Sequence, residues 1–179
     1  LSTGAAFSSN IQTLVQKTKF VVEMIGLPKL VDSTRDALCE IESGVWGVDN
    51  DDNIIDFGLT SALAISSLKV DITKGMRIIY TVGALTDKLL KLVSDSKNIR
   101  NVTLVVKDFT KIFVSETAYR VFCNRGGKIM VLQKSKLIAV CVNPTAPNGY
   151  VLDSDILCRK LEEALKLPVY DIVKNNYDI

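Results

Sequence analysis

The chain has 179 residues, 47% of them apolar and 23% charged, with a formal net charge of +2 from 22 basic and 20 acidic side chains. That is an ordinary globular balance on a chain long enough for a sizeable core, and it argues against a nucleic-acid binder, which shows a basic stripe. Histidine is absent, which removes the usual general base, the Ser–His and Cys–His nucleophile pairs and most zinc sites. Catalysis would have to use carboxylates, Lys, Tyr, Cys or a metal held by oxygen.

The start "LSTGAAFSSN" has no basic region followed by an apolar one, so it does not read as a signal peptide. It begins at Leu1 rather than Met, as a processed form, a cloned domain or a trimmed fragment would. No apolar run approaches the ~18 residues a membrane-spanning helix needs. Ser8 or Ser9 caps a first helix with Ile11, Leu14 and Val15 on one face. "KFVVEMI" (19–25) reads as a strand, although Val22 and Ile25 also continue the helical spacing. In "LPKLVDSTRDALCEI" Ser33 and Asp36 resemble a capping box ahead of Leu38 and Ile41.

"GVWGVDNDDNIIDFG" (44–58) predicts two short strands around an Asp/Asn turn. Asp49, Asp51 and Asp52 lack the alternating ligands, sharp-turn Gly and distant Glu of a calcium loop, so a solvated turn is expected. "LTSALAISSL" (59–68) reads as a short helix opened by Thr60. "MRIIYTV", "NVTLVV", "KIMVL", "LIAVCV" and "PVYDIV" read as strands. Between them, "ALTDKLLKLVSDS", "SETAYRVFCNRGG" (Ser115 as cap, Gly126 as stop) and "DSDILCRKLEEALKL" read as amphipathic helices. Strands apolar throughout, alternating with such helices, predict one α/β domain over 1–179, a three-layer Rossmann-like arrangement with a mostly parallel sheet. Only Gln133 to Lys136 separate "KIMVL" from "LIAVCV", too few for a parallel crossover. The pair is expected to be a hairpin or one long bent strand, and the sheet mixed. Cys39, Cys123, Cys141 and Cys158 form no CxxC pair and sit among apolar neighbours, as buried reduced thiols of a cytoplasmic protein do.

Open α/β sheets bind ligands beyond the carboxyl ends of their strands, and three segments stand there. In "TVGALTD" (81–87) Gly83 permits a tight turn and Thr86 caps the next helix, whose free amides attract phosphate or carboxylate; Asp87 opposes that with its own charge. The segment has neither the dinucleotide nor the P-loop glycine pattern. In "VVKDFTKIF" (105–113) Asp108, Thr110 and Lys111 follow a buried strand. They are a candidate for Mg²⁺ or anion chemistry, or a polar turn. The first motif of the haloacid dehalogenases is matched for three residues only, because Lys111 and Ile112 replace its small turn. In "VNPTAPNGY" (142–150) two prolines stiffen a loop after Asn143, which can both donate and accept. A hairpin would put Asn143 at the opposite sheet edge; a continuous strand would bring it to the other two segments, and the binding-rim look of the loop favours the latter.

Together "GALTD" (83–87), "KDFTKIF" (107–113), "VNPTAPNGY" (142–150) and "LPVYDI" (167–172) resemble a bacterial family, the accessory or reactivating proteins associated with cobalamin-dependent lysine and ornithine aminomutases. The resemblance covers about residues 80–172 and implies an intracellular role in nucleotide-linked protein maintenance. A P-loop is lacking, so a partner chain would supply any ATPase activity. The leading expectation is a domain binding a nucleotide or small anionic metabolite through Gly83, Thr86, Asp87, Asp108, Thr110, Lys111 and Asn143. The alternatives are a non-catalytic accessory subunit with a protein partner, and an enzyme using carboxylates and a divalent metal. No cofactor is named by any motif.

Overall fold

The computed structural model describes residues 1–30, 44–49, 51, 53–56, 76–95 and 99–174. In chain order its elements are β1 (Ser2–Gly4), α1 (Ile11–Ile25), β2 (Gly44–Val48), β3 (Ile54–Asp56), β4 (Arg77–Thr81), β5 (Leu85–Thr86) and α2 (Asp87–Ser94). There follow β6 (Val102–Val106), β7 (Ile112–Phe113), α3 (Glu116–Asn124), β8 (Lys128–Val131), β9 (Val140–Asn143), α4 (Ser154–Leu165) and β10 (Val169–Asp171). The predicted segments 33–41 and 59–68 lie outside the described residues. Among the described residues no helix is long and apolar enough to cross a membrane. The chain divides into two compact units, Leu1–Gly26 with Lys136–Ile179, and Leu27–Ser135.

In the first unit β9 lies between β1 and β10, and all three strands are parallel. Val140 and Val142 alternate with half-buried Cys141, as the two-residue period of a strand requires. Val140 and Val142 join Val169, Leu14 and Val15 of α1, and Leu157 and Leu161 of α4 in one core. Leu157 and Leu161 are one helical turn apart, so the apolar stripe of α4 meets that of α1 over the sheet. Ser2, Cys141 and Tyr170 form one register row on the opposite face. β1 runs so close to β9 that a methyl group on Gly4 would stand 2.0 Å from the Asn143 carbonyl oxygen.

In the second unit the order is β3–β2–β4–β6–β8. β4, β6 and β8 are parallel, while β2 is antiparallel to both neighbours. All five residues of β6 are buried, which accounts for its unbroken β-branched and Leu sequence. Leu30, Trp46, Ile79, Val105 and Leu132 form a core cluster, and α2 packs on α3. The molecule is therefore α/β with mostly parallel sheets.

Three expectations are corrected. Residues 19–25 are not a strand but the last turns of α1; the helical spacing of Leu14, Val15, Thr18 and Ile25 prevails over local β-propensity. Asn10, not Ser8 or Ser9, caps that helix, accepting from Thr13 N–H, while Ser8 supports the cap by accepting from Asn10 N–H. "KIMVL" and "LIAVCV" are neither a hairpin nor one bent strand. β8 is an edge of the five-stranded sheet and β9 the centre of the three-stranded one, so the chain passes between units there. The five-stranded sheet is mixed, as expected, but because of β2.

Candidate functional site

The carboxyl ends of β4 and β6 lie side by side, since Thr81 pairs with Val105 in parallel register. Both strands continue into turns that meet again. Leu85–Thr86 pairs with Ile112–Phe113 as a second, two-stranded parallel sheet. The fold thus brings "GALTD" and "KDFTKIF" together by backbone pairing, as residues at one sheet edge can be.

Their polar side chains are largely engaged in building those turns. Thr86 Oγ1 accepts from Leu89 N–H at 3.4 Å and caps α2. Asp87 Oδ1 accepts from Ser115 N–H at 2.7 Å, tying the start of α2 to the start of α3. Asp108 Oδ1 accepts from Thr110 N–H at 2.8 Å and from its hydroxyl at 2.5 Å. The Thr110 hydroxyl, with the Thr110 amide and the ammonium groups of Lys111 and Lys107, holds the Asp108 carboxyl below its ordinary pKa despite partial burial. "VVKDFTKIF" is therefore a self-bonded polar turn on the end of a buried strand. Lys111 is exposed beside it. Gly83 has open space where a side chain would be.

Asn143 belongs to the other unit, at the carboxyl end of β9, and its Oδ1 accepts from Thr145 N–H at 3.0 Å. In the β2–β3 turn, Asp49 Oδ1 accepts from the amides of Asp51 and Asn53, and Oδ2 accepts from Asn53 Nδ2, all at 2.9 Å. That carboxylate organises a hairpin. Among the described residues no group of three or more His, Cys, Asp or Glu is arranged to hold a metal ion. Cys123, Cys141 and Cys158 are half-buried thiols outside any disulfide, and burial pushes the Cys158 thiol above its ordinary pKa.

A pocket of about 560 Å³ runs along α2 from the turn before it to its C-cap, lined by Ala84, Thr86, Lys88, Leu89, Lys91, Leu92 and Asp95. Its size falls in the range of small-molecule sites. Of the residues singled out in the sequence, Thr86 reaches it. Lys88 and Lys91, three apart on one helix face, carry no signal of their own in the sequence. There they are indistinguishable from the solvated side of an amphipathic helix. Asp95 is drawn to Arg125, whose Nη1 lies 3.2 Å from Oδ1 and donates to the Ser94 carbonyl at 2.9 Å. The two lysines form no ion pair among the described residues. The pocket therefore offers an apolar wall of Ala84, Leu89 and Leu92 with two ammonium groups beside it, a pairing suited to an organic anion. No protein family, characterised protein or solved structure matches the chain.

Proposed function

We propose that this chain is a ligand-binding α/β protein that takes up a small organic anion, a nucleotide or an acidic metabolite, in a pocket along α2, the helix that follows the β4 strand end of a Rossmann-like fold. The observation that carries the reading is the pocket on α2, with Lys88 and Lys91 facing the anionic group and Leu89 and Leu92 the apolar part. Asp87 and Asp108 do not line the pocket; they brace neighbouring turns through their bonds to Ser115 and Thr110.

The test is a thermal-shift screen of nucleotides and small phosphorylated or carboxylated metabolites, followed by calorimetry on any hit. A ligand at a hundred times its Kd stabilises the native state by about 2.7 kcal/mol. The shift is expected to vanish in the double variant Lys88→Ala with Lys91→Ala and to survive Asp108→Ala. Loss of the shift in Asp108→Ala alone would move the ligand to the 108–111 turn. If no anion shifts the wild type, the reading fails.

A second reading, a non-catalytic accessory subunit such as the aminomutase resemblance implies, is favoured by a different feature. Tyr170, Ile172 and Val173, around the end of β10, expose 44%, 45% and 54% of their surface, an apolar run of the kind partners cover. It predicts protection of residues 170–173 from hydrogen exchange when a cobalamin-dependent aminomutase is added.

A further inference from the structure

In the first unit the carboxyl ends of β1 and β9 lead into two loops that face one another. Residues 5–10 follow β1, and residues 144–151 follow β9. Between them lies a cleft of about 400 Å³, lined by Ala5 to Ser9 and by Ala146, Pro147, Asn148 and Tyr150. This is the edge at which parallel α/β sheets keep their ligands, and it is independent of the α2 pocket.

The cleft is preformed. Ala5 N–H donates to the Asn143 carbonyl at 3.0 Å, and Phe7 N–H donates to the Gly4 carbonyl at 2.9 Å. Lys17 Nζ holds the Phe7 carbonyl at 3.0 Å. The second loop closes on itself through Ala146 N–H to the Tyr150 carbonyl and Gly149 N–H to the Ala146 carbonyl, with Gly149 in the left-handed region at φ 84°. Tyr150 Oη donates to the Ser9 carbonyl at 3.0 Å and ties the two loops together. Such preorganisation lowers the ordering cost of binding.

Its chemistry is distinctive. No charged side chain lines it. Buried Ala5 and Ala146 leave room at the base, while Phe7 is 61% and Tyr150 45% exposed. Two aromatic rings held in water beside a concavity are apolar surface that a flat ligand would cover. Asn148 lines the cleft, and its Oδ1 is taken by Tyr150 N–H at 3.2 Å, so what the side chain has left to offer a ligand is its amide nitrogen, with two N–H donors and no protein partner among the described residues. The donors suit ring carbonyls and ring nitrogens, and the rings suit a π-face.

We infer that this cleft is a second binding site, for the base of a free, uncharged nucleoside. The test is calorimetric titration of the full chain with adenosine, guanosine, cytidine and uridine. Two variants preserve the loop scaffold: Phe7→Ala, which removes an exposed ring, and Asn148→Asp, which keeps the acceptor for Tyr150 N–H and replaces the donors. At least one nucleoside is expected to bind the wild type, and each variant is expected to weaken it about tenfold or more with the melting temperature unchanged. The variant lacking Lys88 and Lys91 side chains is expected to bind it as the wild type does, which separates this site from the pocket on α2. Failure of every nucleoside to bind at millimolar concentration would overturn the inference, as would binding that survives both substitutions.

Discussion

Asp171 shows how much one side chain can organise. It is 6% exposed and accepts from the Ser154 hydroxyl, from Val173 N–H and from Lys174 N–H, joining the end of β10 to the first turn of α4. Burial alone would raise its pKa, but those donors and the Lys174 ammonium outweigh it, and the group sits below the ordinary carboxylate value. A folded-state pKa below the unfolded value of about 3.9 means stability that is present above that pH and lost as the pH falls through the folded value. The wild type is therefore expected to lose stability below about pH 4 more steeply than Asp171→Asn, measured by urea denaturation across pH. At pH 7, Asp171→Ala is expected to cost about 1–3 kcal/mol, because two amides and a hydroxyl lose their acceptor. Gly126 is the other position with a sharp expectation. Its φ is 97°, and a methyl group added there would stand 2.7 Å from Arg100 Cγ. Gly126→Ala is accordingly expected to destabilise by roughly 1–2 kcal/mol, read from the same denaturation curves.

The helices are the most readable elements. Thr86 and Ser115 act as the caps that their sequences announce, each accepting an amide three residues on. Ser115→Ala should lower stability by about 1 kcal/mol. Asp87 reads in sequence as a local opponent of anion binding, but its partner, Ser115 N–H, lies 28 residues away and no spacing rule connects them. Asp87→Ala is therefore expected to loosen α3 as well as α2. Amide exchange should rise at the first turns of both helices, whereas loss of a purely local interaction would raise it in α2 alone. The second half of α1 looks like a strand because Phe20, Val21 and Val22 favour strands locally; the buried stripe that overrides them is defined by Val15, Thr18 and Ile25 meeting a core.

Across the chain, the two units each have a core of their own. Leu161 is fully buried among Leu14, Val142 and Leu157, and Leu104 is fully buried in β6 of the other sheet. Leu161→Ala and Leu104→Ala should each cost about 2–5 kcal/mol. Exchange should accelerate first in β9 for the former and in β4 and β8 for the latter, as hydrogen-exchange mass spectrometry can resolve. Neighbourhood in sequence is misleading here. "KIMVL" and "LIAVCV" are separated by a gap suited to a hairpin, yet each finds its hydrogen-bonding partners in a different sheet, β8 on β6 and β9 on β1 and β10.

Periodicity and capping chemistry are local properties, and they suffice for the α/β class, the parallel strands of the second half, the Asp49 turn and the two caps. They also place Gly83, Thr86, Asp108 and Asn143 at strand ends, where the structure has them. Sheet membership, the pairing of Leu85–Thr86 with Ile112–Phe113, and the occupation of Asp87 and Asp108 by amides and a hydroxyl depend on contacts between distant residues. So does the cleft between the 5–10 and 144–151 loops. The α2 pocket is lined within residues 84–95, and Lys88 and Lys91 go unread there because charged residues on an amphipathic helix carry no distinguishing signal. Phe7 and Tyr150, far apart in the chain, line one cleft because β1 and β9 pair in parallel and send their loops out from the same edge.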